Sequence, residues 1–234
     1  MNSVKKNARI AGTLYLTLIL SGIFSLLYVP SKLIIWDSSI QTFNNLIENE
    51  FLFKTGVLGD ILMYLTFMFL SLALYKLLSQ VNKNVAISMV ALVLISVSIS
   101  FANLIPKLDA ISLLSETSPS NSMNDVKHAD QLFLLLESHN NGISLIQIFW
   151  GLWLFPLGYL VFKSKHLSSF FGILLMIGCF GYITDFVGYF LFPGSYGKTI
   201  IPTLTTIPHA LGEIGFCFWL LIVGVKKTAD TEQS

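Results

Sequence analysis

Arginine is almost absent from this sequence: Arg9 stands alone beside thirteen lysines. With one guanidinium, bidentate recognition of phosphate or carboxylate and an arginine-rich voltage sensor are both out of reach. Charge of either sign is scarce, at 12% of 234 residues, against about 25% in soluble domains. So few charges cannot cover a water-soluble globule of this size. The formal net charge is only +1, so no basic footprint points to a nucleic-acid partner. Cysteine is limited to Cys179 and Cys217, both inside apolar runs. They provide neither a disulfide framework nor zinc-ligand spacing and read as small packing residues.

What the chain does have is long apolar runs: 54% of its residues are hydrophobic and its mean hydropathy is +0.72. A helix crossing hydrocarbon needs about 20 apolar residues. Six stretches meet this, at about 10–29, 56–79, 85–105, 142–162, 169–191 and 205–225. The expected fold is therefore all-α, a polytopic bundle of six transmembrane helices counted as one membrane domain over residues 1–234. The first run follows Lys5, Lys6 and Arg9 as a signal peptide's apolar core would. It is too long for that core and lacks a following A-x-A site, so it reads as a retained helix.

Alternating the six spans places nine basic residues on one side (Lys5, Lys6, Arg9, Lys76, Lys83, Lys163, Lys165, Lys226 and Lys227) and five on the other (Lys32, Lys54, Lys107, Lys127 and Lys198). The nine hug short connections, where the positive-inside rule acts most strongly, which predicts both termini in the cytoplasm. The two long loops then face outward. In residues 30–55, Ser38 and Gln41 stand at capping spacing ahead of Ile40, Phe43, Ile47 and Phe51 at helical spacing, a short interfacial helix. In residues 106–141, the Ser/Asn-rich stretch Ser115 to Asn124 reads as a flexible linker, followed by a second amphipathic piece at Ala129 to Leu136.

Three acidic residues fall inside spans: Asp60, Asp185 and Glu213. Each carries an insertion cost of about 2.5–3.5 kcal/mol and so needs a reason. By the expected boundaries they share one depth band below the outer surface. His209 precedes Glu213 by one helical turn, and His139 opens the fourth span beside Asn140. Asn140, Ser144, Gln147 and Gly151 form a polar and small-residue stripe, as do Ser96, Ser100 and Asn103. Stripes of this kind are most often helix-packing surfaces. Ionisable groups at a shared level point further, to an outward-open polar pocket lined by Asp60, His139, Asn140, Gln147, Asp185, His209 and Glu213. His139, His209 and Glu213 are weak metal candidates, because their spacing does not match H-E-x-x-H. Pro156 predicts a kink in the fourth span.

Several segments resemble a known family: Ala8-Arg9-Ile10-Ala11-Gly12 with Tyr15-Leu16; Phe53-Lys54-x-Gly56-x-x-x-Asp60; Gly151-Leu152-Trp153-Leu154-Phe155-Pro156-Leu157-Gly158-Tyr159; and Leu211-Gly212-Glu213-Ile214-Gly215-Phe216. The order and near-complete coverage resemble a bacterial membrane family known only as a domain of unknown function, number forty-three eighty-six. The resemblance implies a six-helix bacterial membrane protein, no assigned activity and no catalytic residues to carry over. It sets Asp60 and Glu213 inside family-like motifs. A multi-pass protein of the bacterial cytoplasmic membrane is expected, in contact with the lipid bilayer. The leading functional expectation is binding or transport of a small ligand or cation. The alternatives are an intramembrane metal-assisted hydrolase, and a non-catalytic subunit or sensor with a membrane-protein partner. No cofactor is specified.

Overall fold

The structure, a computed structural model, describes residues 2–116 and 122–225, and the side chains of 4–115 and 126–225. All regular structure among these residues is helical. Helix α1 is Asn2–Gly22; it runs on through a π-helical segment, Ile23–Tyr28, into α2, Val29–Leu33. Then follow α3, Ser39–Glu48; α4, Glu50–Leu78; α5, Lys83–Ala102; α6, Ile105–Glu116; α7, Ser122–Leu152; α8, Leu154–Lys163; α9, Ser169–Leu191; and α10, Ile201–Ile222. They make six helical stretches long and apolar enough to cross a membrane. Their outward faces carry large apolar side chains, with Phe190 72% and Ile222 71% exposed. Surfaces of this kind need lipid rather than water. The chain is a multi-pass membrane protein.

The fifth span matches its expected bounds, while the third and fourth differ. Residues 106–116 and 122–141 are helical rather than loop. After α5 the backbone turns at Asn103 and Leu104 and resumes as α6, because Pro106 has no N–H to continue the ladder and restricts the residue before it. Two i→i−3 bonds, Leu104 N–H to Phe101 O at 3.1 Å and Lys107 N–H to Leu104 O at 3.0 Å, carry the turn. The amphipathic piece at Ala129 to Leu136 is part of α7, whose buried stripe runs Ala129, Leu132, Leu136, His139 at helical spacing. The break before α8 falls at Trp153, one turn ahead of Pro156, where the ring denies residue 152 its hydrogen bond. Of the expected linker from Ser115 to Asn124, residues 117–121 lie outside the described residues.

The chain groups into two compact units: Met1–Thr17, Thr66–Val97 and Leu145–Ser234 form the first, Leu18–Leu65 and Ser98–Ser144 the second. The second has its core among α2, α3, α4, α6 and α7, where Val29, Leu33, Phe43, Leu46, Phe53, Ala110, Leu114, Ala129, Leu132 and Leu136 pack together. Helix α3 starts as its sequence predicts, with the Ser38 hydroxyl accepting the Gln41 N–H at 3.3 Å. Phe43 and Leu46 of α3 enter the core, while Ile40 and Ile47, with Phe51 at the start of α4, are exposed. Thr42 fixes the preceding turn, donating to Ile35 O at 3.0 Å and accepting from Ile35 N–H at 2.9 Å.

In the first unit α9 packs against both α8 and α10. Glycine sets the approach: a Cβ at Gly178 would stand 2.7 Å from the His209 Cβ, and one at Gly158 would stand 2.6 Å from Gly172 O. Between helices in lipid, close backbone packing of this kind takes the place of a hydrophobic driving force. Both cysteines are buried and free. Cys217 Sγ donates to Gly12 O at 3.6 Å, a packing role with a weak hydrogen bond.

Candidate functional site

In the second unit, Asp60 on α4 is completely buried. Its Oδ2 accepts from Lys107 Nζ at 2.6 Å, and Lys107 is itself buried. The pairing follows from the fold of α6. Pro106 restarts the helix so that Leu104, Lys107, Ala110 and Leu114 share its buried face, and the ammonium enters the unit with them. Sequence reasoning counted Lys107 among outer loop charges; its helical spacing to Ala110 and Leu114 was the signal available. Asp60 Oδ1 has no hydrogen-bond partner among the described residues. One turn along α4, the buried Tyr64 hydroxyl has none either, its ring lying edge-on to Phe101 at 5.6 Å. The Ser25 hydroxyl, in the π-helical segment, is buried and unbonded as well. Its Cβ lies 3.1 Å from the position of a Cβ on Gly59, next to Asp60.

His139 on α7 belongs to the same unit and lies within electrostatic reach of Lys107 and Asp60. Its Nδ1 is 2.7 Å from Asn103 O. A carbonyl only accepts, so Nδ1 carries the proton in this contact. Asn103 Nδ2 returns a bond to His139 O at 2.9 Å. The Asn103 side chain fits against Gly142, where any Cβ would overlap it. Asn140, the neighbour of His139, is exposed.

In the first unit Glu213 on α10 accepts from two phenols, Tyr15 at 3.1 Å on Oε2 and Tyr182 at 3.2 Å on Oε1. Tyr15 is fully buried between the rings of Trp153, 6.2 Å away, and Phe216, 6.5 Å away. Tyr182 stacks on His209 with centroids 4.3 Å apart, and His209 Nδ1 is buried without a partner. Asp185 Oδ1 accepts from Thr205 at 2.6 Å and Tyr196 at 2.8 Å. It lies within electrostatic reach of His209 and Tyr182. Tyr196, in the turn between α9 and α10, has its pKa pushed up to about 12 by burial first and then by its bond to Asp185, so it is a neutral donor at physiological pH. Gln147 is half-buried on α7.

Of the residues singled out from sequence, Asp60, His139 and Asn140 belong to the second unit and Gln147, Asp185, His209 and Glu213 to the first. His209 and Glu213 come together through Tyr182; Asp60 comes together with Lys107. The hydroxyl donors Tyr15, Tyr182, Tyr196 and Thr205 were not readable as site residues. Among the described residues no three His, Cys, Asp or Glu side chains gather as metal ligands.

Comparison with known proteins adds family membership and no activity. A family described as "Domain of unknown function (DUF4386)" matches residues 10–224. An uncharacterised protein of Archaeoglobus fulgidus is 38% identical over 88 residues, 36% of this chain. The match covers 47% of that relative, so the chain spans about half its length. No solved structure matches the chain. With nearly its whole length matched, the chain belongs to the DUF4386 family.

Proposed function

We propose that this membrane protein binds a small ligand or cation at Asp60. The observation that carries the reading is the half-used carboxylate. Asp60 bonds Lys107 through one oxygen, while the other oxygen and the Tyr64 hydroxyl, one turn away, are buried without partners among the described residues. Unbonded polar atoms away from water cost about 1–3 kcal/mol each, so two on one helix face favour a polar guest between them.

The pair Asp60–Lys107 supplies the resting state: opposite charges at 2.6 Å leave no net charge in the low-dielectric interior. A guest cation on Asp60 takes over the role of the ammonium. Lys107 must then find another partner. His139, its Nδ1–H taken up by Asn103 O, is the neighbouring imidazole. Glu213 is the second candidate in this reading, its carboxylate held by neutral hydroxyls beside the unbonded Nδ1 of His209. Asp185, Gln147 and Asn140 are weaker members of the ligand set. Metal-assisted hydrolysis has no three-ligand donor set to support it among the described residues.

The side of the membrane is part of the proposal. The weight of lysine on the short connections supports both termini in the cytoplasm, and the family resemblance supports a bacterial plasma membrane. The test is binding of radiolabelled sodium and potassium to purified protein, with Asp60→Asn combined with Lys107→Met, and separately Glu213→Gln, alongside. Loss of binding in a variant with unchanged thermal stability assigns the site. Wild-type binding in both variants removes it.

A further inference from the structure

Away from the buried clusters, the first unit has a cavity of about 480 Å³ at the turn between α8 and α9. Its polar lining is Gln80, Tyr159, Lys163, Ser164, Lys165 and His166. Val4, Leu77, Leu167 and Val225 supply apolar wall. The turn is fixed at both ends. Buried Ser164 closes α8 with its N–H on Leu160 O at 3.0 Å, and its hydroxyl accepts the His166 N–H at 3.2 Å. Leu167 is 3% exposed and anchors the other end. Lys163, Lys165 and His166 therefore project from a held backbone.

Lys163 and Lys165 have no carboxylate partner among the described residues of the first unit. The carboxylates of the first unit among the described residues are Asp185 and Glu213, and hydroxyl groups already occupy both. Lys76 and Lys83 flank the turn that supplies Gln80, adding to the positive potential. A concave site with ammonium groups, neutral donors at Gln80 and Tyr159, and apolar walls at the end of spanning helices matches one ligand chemistry. It is a phosphate oxyanion attached to something apolar. We propose that this cavity binds a phosphate-bearing anionic group, the headgroup of an anionic phospholipid. Lysine suits this role as a compact point charge, so the scarcity of arginine does not count against it.

The test uses native mass spectrometry of the full chain, purified in detergent and offered phosphatidylglycerol and phosphatidylcholine in equal amounts. The wild type retains phosphatidylglycerol preferentially. Lys163→Gln with Lys165→Gln reduces that preference roughly tenfold, and Lys198→Gln, away from the cavity, leaves it unchanged. A parallel arm offers inorganic phosphate. If phosphate binds the wild type, is lost in the double variant and displaces the lipid, the site stands with a soluble source. Equal retention of both lipids without phosphate binding, or a preference that the double variant does not move, overturns the proposal.

Discussion

At Asp60 and Lys107 the chain keeps two opposite charges where either alone is costly. Removing one partner of a buried pair costs about 3–5 kcal/mol, while removing both is near neutral. Lys107→Met should therefore lower unfolding free energy by about that amount, and Lys107→Met with Asp60→Asn should recover most of it, measured by denaturant unfolding in lipid-detergent mixtures. A small single-variant effect with no recovery means the two charges do not depend on each other. At Tyr196 the shift from 10.0 to about 12 fixes a pH window. The folded state holds the phenol proton more tightly than the unfolded chain. Its contribution is complete below pH 10.0 and is lost as pH rises through about 12. Tyr196→Phe should flatten that alkaline loss in a thermal-melt series, and an unchanged slope removes the effect of Asp185 on this phenol. Asp60 and Glu213 were legible in the sequence because a carboxylate in an apolar run is expensive wherever its helix packs. Their partners were not, since Lys107 lies 47 residues from Asp60 and Tyr15 lies 198 from Glu213. No local pattern encodes those distances.

For the helices, the apolar runs announced six spans, and α9 begins and ends where its run does. What local reading lost was helix wherever charge interrupted the run. Lys107 and Asp109 made α6 look like loop, and Asp130 and Glu137 hid the first half of α7, although Ala129, Leu132 and Leu136 kept the helical period. Charges on the outer face of a helix and charges in a loop are alike in composition and differ only in the phase of their apolar neighbours. Close crossings at this scale have a direct test. Gly142→Ala forces Asn103 away from α7 and with it the bond that orients His139. Overpacking of this kind costs about 1–3 kcal/mol, so a drop in thermal stability of that size is expected. Gly194→Ala, with nothing within 4 Å, should leave stability unchanged. Equal behaviour of the two variants means the fit at Gly142 is looser than described.

For the whole molecule, four helices, α1, α4, α5 and α7, each contribute residues to both compact units. Neither unit is a continuous stretch of chain, so separate expression of either is not expected to give a folded product. The lysine distribution sets the expected sidedness. A membrane-impermeant maleimide on intact cells should label Ser38→Cys and spare Lys165→Cys, both native cysteines being buried. The reverse labelling inverts the orientation. The binding reading depends on something more local, the half-satisfied carboxylate inside the second unit, and one measurement addresses it most directly. Isothermal titration of purified protein with sodium and potassium reads binding directly. The account predicts saturable binding in the wild type, and its loss when Asp60→Asn is combined with Lys107→Met so that no buried charge is left unpaired, at near-unchanged melting temperature. Saturable binding of the same affinity in that folded double variant contradicts it.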